Sequence, residues 1–190
     1  MKKLITFSIA CLLAFSMAQA NELSNEILKS TVFSLKTHTD NVINWKVGDT
    51  MDYNISIGAF GQIGTTTKTV TKDEGVAIWL NNTMSYSGVQ DVSEILINKA
   101  DGKILKLIHN GKEQSVPNQD IEIISMDQDT VTVPAGTFDV VHVVAKTKEI
   151  NILEILSNPV KSVMDGAVKQ LIASQFGDII LELTAFKHGV

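Results

Sequence analysis

The chain contains no arginine and only one cysteine, and each scarcity excludes a kind of site. All 16 cationic side chains are lysines, so the bidentate recognition of phosphate or carboxylate by a guanidinium is absent. A single cysteine cannot form a disulfide within the chain. Three prolines and 6% aromatic residues are also few, but 44% hydrophobic residues among 190 are enough for the core of one domain. This composition excludes a coiled coil, a collagen and a disordered chain.

The first twenty residues have the composition of a secretory leader. Two lysines precede an apolar run over residues 4–17, and Ala18 and Ala20 place small residues at the −3 and −1 positions of a cleavage site. The run is shorter than the roughly 20 residues that span a bilayer. We therefore predict a signal peptide over residues 1–20, cleavage after Ala20, and a periplasmic or secreted protein that is not an integral membrane protein.

Cleavage would also change the chemistry of the chain. Cys11 lies inside the leader and follows a poor lipobox, so we expect it to be discarded and the mature protein to have no thiolate for a metal or a nucleophile. The predicted mature chain keeps 14 lysines against 21 acidic residues, a formal charge of −7. Such a charge disfavours nucleic acid and anionic membrane surfaces. The expected partner is an apolar small molecule or lipid, or another envelope protein.

The mature sequence predicts a single β-rich domain over residues 21–190. Apolar residues recur every three to five positions through residues 21–40, which is typical of a helix packed by one face. From residue 42 the period changes to two, and it is clearest where apolar and polar residues alternate over 51–57. We therefore expect an antiparallel sheet over residues 42–187.

Turn residues divide this sheet into hairpins. Asp101-Gly102 and Asn110-Gly111 both suit type I′ turns, and they predict a three-stranded meander. Short strands are expected at 121–125 and 130–133. Residues 138–146 are apolar on both faces, so that strand is expected mid-sheet beneath the helix.

A motif at residues 132–138 carries a resemblance. It has the sequence Thr-Val-Pro-Ala-Gly-Thr-Phe and precedes an apolar strand, which resembles the Val-Pro-Ala-Gly-Thr-Phe signature of a family of exported bacterial β-proteins of unknown function. The likeness covers roughly residues 42–187. It implies a curved antiparallel sheet, sometimes compared with periplasmic lipoprotein carriers, and it brings no catalytic residues. Physically, Pro134 and Gly136 should form a tight corner that turns Phe138 into the core.

No motif gathers catalytic or metal-ligating residues. The glycines at 58, 61 and 64 do not match a phosphate loop, and the four histidines lack metal-like spacing. Residues 127–129 begin like a calcium loop but lack its glycine. We therefore predict no enzyme, no metal and no cofactor. A hydrolase would need a pocket in which His109 or His142 meets a carboxylate within about 3 Å.

These patterns together predict a mainly β fold, a strongly curved antiparallel sheet or incomplete barrel with an N-terminal α-helix packed on it. Because curved sheets can enclose cavities, the expected function is non-enzymatic binding of an apolar ligand, a lipid or acyl chain, between sheet and helix. The alternative is a protein–protein interaction module without a cavity, which docks by a strand edge or loop. The candidate ligand-lining residues are Trp45, Tyr53, Phe60, Trp79, Phe138 and Val140.

Overall fold

A computed structural model describes residues 17–36, 43–117, 120–148, 150, 152–175 and 177–190. Residues 1–16 of the predicted leader and residues 37–40 of the predicted helix lie outside these ranges. The elements of the described chain are α1 (Met17–Lys36), β1 (Thr50–Ile57), a 3-10 turn (Gly58–Phe60), β2 (Gly61–Asp73), β3 (Ala77–Tyr86), β4 (Val89–Asn98), β5 (Ile104–His109), β6 (Lys112–Gln114), β7 (Glu122–Val133), β8 (Gly136–Lys146), β9 (Leu153–Ser157), β10 (Ala167–Ile172) and β11 (Ile179–Lys187).

The strands form one antiparallel sheet in the order β6-β5-β4-β3-β2-β1-β11-β10-β9-β8-β7. The predicted mainly β fold is confirmed, and the sheet does not close into a barrel. Strands β1 to β6 form one meander and β7 to β11 form a second, and the two meet where β1 pairs with β11. Among the described residues, β6 and β7 are the two outermost strands of the sheet.

Helix α1 lies inside the curve of this sheet. The five successive residues 30–34 are all buried, and five residues cover more than one full helical turn. A helix packed on a flat surface would bury only a stripe, so α1 is covered on all sides at this level. Ile27, Val32 and Phe33 are fully buried and supply apolar contacts to the core.

Backbone angles distinguish the hairpin turns. Asn110 and Gly111 both have positive φ, 49° and 75°, as the sequence predicts for a type I′ turn. At Asp101-Gly102 only the glycine has positive φ, so the predicted I′ geometry is wrong there, and residues 99–103 form a longer connection. Ser87 and Gly88, with φ of 48° and 77°, form the turn between β3 and β4 that sequence did not predict.

The two short strands expected at 121–125 and 130–133 are one continuous strand, β7. Polar residues interrupt its hydrophobic pattern because β7 is an edge strand with most of its side chains in solvent, while its pairing with β8 runs the length of the strand with one register shift between Ile123 and Ser125. Strand β8 is second from this edge rather than mid-sheet. Both of its faces are nonetheless covered, since Phe138 and Val140 are buried near one end and Val143 and Ala145 near the other.

The corner between β7 and β8 has the predicted form. Its two residues are Pro134 and Ala135, and the Ala135 amide donates to the carbonyl oxygen of Leu183 at 3.0 Å. This bond ties the corner to β11. Phe138 is buried behind it, with its ring packed edge-on against Phe186 at 6.5 Å between centroids.

A folded-back loop over residues 158–166 connects β9 to β10. Gly166 has a φ of 65°, and a Cβ atom there would collide with the backbone of Pro159. Glycine therefore allows the loop to close tightly. The loop buries Asp165 next to the helix, where it becomes part of the site described below.

Candidate functional site

The helix-facing side of the sheet contains a band of buried polar side chains among its apolar ones. The register places Met51 of β1 opposite Lys68 of β2, and Lys68 opposite Asn82 of β3. Asn82 lies between Leu80 and Met84 on the same face of its strand, and all three are buried. The members of this band are Thr66, Lys68, Asn82, Asp91, Ser93 and Gln170.

A buried ion pair joins the sheet to the loop and the helix. The Lys68 ammonium lies 3.2 Å from the Asp165 carboxylate, and both side chains are 1% exposed. The Ser34 hydroxyl of α1 donates to the same carboxylate at 2.5 Å. The Asp165 carboxylate is therefore the point at which the 158–166 loop contacts both strand β2 and helix α1. Two ions removed from water require close partners to remain stable, and this arrangement supplies them.

Tyr53 completes this cluster. Its ring lies 5.3 Å from the Lys68 ammonium, and its hydroxyl donates to the carbonyl oxygen of Ala167 at 2.8 Å. Burial raises the pKa of the Tyr53 hydroxyl well above its usual value, and the negative charges of Asp165 and Asp52 raise it further.

A second polar contact lies farther along the helix. Ser30 donates its hydroxyl to the side-chain oxygen of Gln170 on β10 at 3.1 Å. The Gln170 amide nitrogen is buried and has no hydrogen-bond partner within the described chain. An unpaired buried donor lowers the free energy of unfolding by roughly 1–3 kcal/mol. At this point the helix therefore bonds to a side chain whose amide nitrogen is itself left without a partner.

A cavity of about 550 Å³ opens between α1 and the β5–β6 edge of the sheet. Leu28, Leu107 and Pro117 are its apolar side chains, the two leucines are buried, and the other seven lining side chains are polar. It is lined by Asn25, Leu28, Lys29, Leu107, His109, Asn110, Lys112, Gln114, Ser115 and Pro117.

His109 forms part of the cavity wall and is held by a carboxylate. Its Nε2 atom lies 3.0 Å from the Asp91 carboxylate, which also accepts from the Asn110 side-chain amide at 3.3 Å. A histidine this close to a carboxylate, at the wall of a cavity, is the arrangement that a hydrolase would need. Ser93 is paired with His109 across the strands but is buried, and no hydroxyl in the described chain bonds to the imidazole. The pair therefore lacks an activated nucleophile here.

The other histidine pair lies elsewhere on the sheet. His142 Nε2 is 3.0 Å from the Glu154 carboxylate, across the β8–β9 pairing. Neither residue lines the cavity. Within the described ranges, no three His, Cys, Asp or Glu side chains converge as metal ligands.

None of the six predicted lining residues borders this cavity. Tyr53, Phe138 and Val140 are buried in the core, where the protein's own side chains pack against them. Trp45 precedes β1 and is partly buried against the core.

Phe60 and Trp79 do not reach the interior. Phe60 lies on the 3-10 turn and is 70% exposed, because the chain reverses there before β2 begins. Trp79 alternates with the buried Ile78 and Leu80, so it is on the outer face, where its indole N–H donates to Glu74 at 3.0 Å. Aromatic character alone therefore did not identify the interior face.

The cavity residues were missed because they are mostly polar and come from distant parts of the chain. A signal for the polar band was nevertheless present. The apolar Val70 indicates the inner face of β2, and Lys68 lies two positions earlier, so its side chain is on the same face. Leu80 and Met84 indicate the inner face of β3, and Asn82 lies between them on that face. Extending the period of two through polar residues would have found them.

Comparison with known proteins identifies no family. No protein-family model matches the chain, and no curated protein matches it. The hypothetical protein CT021 of Chlamydia trachomatis superposes with a TM-score of 0.49 at 11% identity, over 76% of this chain and 89% of its own.

Two further solved structures are similar at somewhat lower TM-scores. One, from Bacteroides fragilis, is thought to be an exported protein and has a YmcC-like fold; it gives a TM-score of 0.43 at 11% identity, over 77% of this chain and 100% of its own. The other, from Parabacteroides distasonis, is thought to be a lipoprotein; it gives 0.44 at 9% identity, over 77% and 99%. No helix among the described residues is both long and apolar enough to cross a bilayer.

Replacing Lys68 by methionine should cost about 3–5 kcal/mol of unfolding free energy, because Asp165 would remain buried without its cation. The double variant Lys68→Met/Asp165→Asn should regain much of this loss. The control Lys72→Met breaks an exposed pair with Glu74 and should cost far less, because solvent screens that pair. Urea denaturation measures all three. Equal losses for Lys68→Met and Lys72→Met would contradict the role of the buried pair.

The raised pKa of Tyr53 predicts a loss of stability at alkaline pH. An unfolded tyrosine loses its proton near pH 10, whereas Tyr53 in the folded chain keeps it, so above about pH 10 the unfolded state binds fewer protons and the unfolding free energy falls as pH rises. Tyr53→Phe should lose stability near neutrality, where it lacks the bond to Ala167, but should decline less steeply above pH 10. Denaturant titrations from pH 7 to 11.5 test this, and parallel profiles for the two proteins would refute it.

Proposed function

We propose that the chain is an exported, non-enzymatic binding protein that holds a lipid or acyl chain between α1 and the β5–β6 edge of its sheet. The observation that carries this proposal is the cavity of about 550 Å³, which lies within the range of about 300–1,000 Å³ common for small-molecule sites. The predicted leader, residues 1–20, supports export, and the motif at 132–138 supports membership of the exported β-protein family that it resembles.

The position of α1 explains why the ligand would lie at the edge of the sheet. Phe33 and Val32 of the helix are fully buried against the core, so the middle of the curve is already filled by the protein's own side chains. Toward the N-terminal half, Asn25 is exposed and Leu28 borders the cavity. An acyl chain would pack there against Leu28 and Leu107, which gives it a small apolar surface.

Native mass spectrometry of protein purified without detergent should reveal a bound lipid or acyl mass, and added fatty acid should raise the melting temperature. Asn25→Trp should abolish both effects, because the indole would fill the cavity mouth from an exposed helix position. Gln90→Trp, exposed on β4 outside the cavity, should leave both unchanged. A clean unliganded mass with no stabilisation by fatty acids or phospholipids would reject the proposal.

A second candidate function rests on the edge strand β7. Ile123, Ile124 and Met126 are each at least half exposed, and the outer backbone edge of β7 is free to pair with a strand from another envelope protein. This is the predicted alternative of an interaction module that docks by a strand edge.

A photo-crosslinking residue at position 126 should give a discrete adduct with one envelope polypeptide in intact cells, because its side chain lies beside the free edge. The same residue at position 72, exposed on β2, should give none. The interaction module would be refuted by identical adduct patterns from the two positions, or by no adduct from position 126.

A further inference from the structure

We infer that the ligand of this cavity carries an anionic group, a carboxylate or phosphate, which Lys112 binds beside His109. This inference rests on the proposed function, because it assigns a chemical class to the ligand of the same cavity. The first observation is the charge of the lining. Its ionisable side chains are Lys29, His109 and Lys112, and no carboxylate is among the lining residues.

Two of these three side chains already have an acidic partner. Glu26 pairs with Lys29 along the helix at 3.2 Å, and Asp91 accepts from His109 at 3.0 Å. Asp91 is on the inner face of β4 and its side chain is only 6% exposed, so it lies behind the imidazole. Lys112 has no acidic partner within 4.0 Å among the described residues, and it carries the charge that is left unbalanced at the cavity wall.

The register keeps Lys112 at the mouth of the cavity. It pairs with His109 across the β5–β6 hairpin, and the rigid Asn110-Gly111 turn fixes the two strands. Neutral hydrogen-bonding side chains complete the polar side, namely Asn25, Gln114 and Ser115. An anion at this point would accept charge-assisted hydrogen bonds from the ammonium, with no carboxylate in the lining to repel it.

The buried part of the lining has a different character. Leu28 of α1 and Leu107 of β5 are nearly buried and present apolar surface to the same cavity. Polar contacts at the mouth and apolar contacts at the floor together fit an amphiphile whose anionic head faces Lys112. A free fatty acid and a phosphate-headed lipid share this chemistry, so the experiment must separate them.

Titration calorimetry with four probes tests the inference: decanoate, decyl phosphate, decanol and inorganic phosphate, each below its aggregation concentration. Decanoate or decyl phosphate should bind at least about tenfold more tightly than decanol, because only they form a charge-assisted contact. The tighter of the two identifies the head group. Inorganic phosphate alone should bind weakly, because it makes no contact with the leucines.

Lys112→Gln should weaken binding of the anionic probe about tenfold and leave decanol unchanged. Lys106→Gln is the matched control. Lys106 lies on the adjacent strand β5, outside the cavity lining, and pairs with Glu113, so this variant changes the charge equally without touching the cavity. Both variants should remain folded, because both side chains are partly or fully exposed. Circular dichroism checks this.

The possible outcomes distinguish an anionic ligand from an acyl ligand in general. Equal binding of decanol and the anionic probes, with no effect of Lys112→Gln, overturns the anionic ligand and leaves the proposed binding function standing. Binding of inorganic phosphate as tight as that of decyl phosphate keeps the anion site but overturns an acyl ligand. Binding of none of the four probes overturns both.

Discussion

The contact between Lys68 and Asp165 holds together three parts of the chain that are far apart in sequence. Lys68 is on β2, Asp165 is on the loop before β10, and Ser34 of α1 bonds to the same carboxylate. Because both ions are buried, neither can be separated from its partner without a large desolvation cost. The geometry of the pair therefore sets the position of the helix against the sheet, and the helix in turn forms one wall of the cavity at the β5–β6 edge.

The interior of this sheet differs from a purely apolar core. Its helix-facing side combines Ile55, Leu181 and similar residues with Thr66, Asn82 and Gln170. Thr66 donates to Asn82, and Ser30 of the helix donates to Gln170. Hydrogen bonds require specific distances and angles, whereas apolar contact tolerates sliding. The polar band accordingly fixes how far α1 reaches along the sheet, and so how much of the curve remains open near Leu28 and Leu107.

Local patterns predicted the architecture well, because a period of two and turn residues act over a few positions. The alternation over 51–57 and the Asn110-Gly111 turn are both present as expected. The position of β8 near an edge was not predictable, since strand order depends on pairings between distant segments. The site was missed for a related reason. Lys68 and Asp165 are separated by 97 positions, and nothing local to either residue indicates the other.

The pairing of β1 with β11 joins the first strand of the sheet to the last. The first meander, β1 to β6, can pair internally while the rest of the chain is still emerging, but Asp165 and Gln170, to which α1 bonds, belong to the second half. Helix α1 precedes every strand in the chain, so its bonds to Asp165 and Gln170 can form only after nearly the whole polypeptide has been synthesised. Such long-range closure is slow, so the apolar side of α1 stays uncovered until the second half of the sheet has formed.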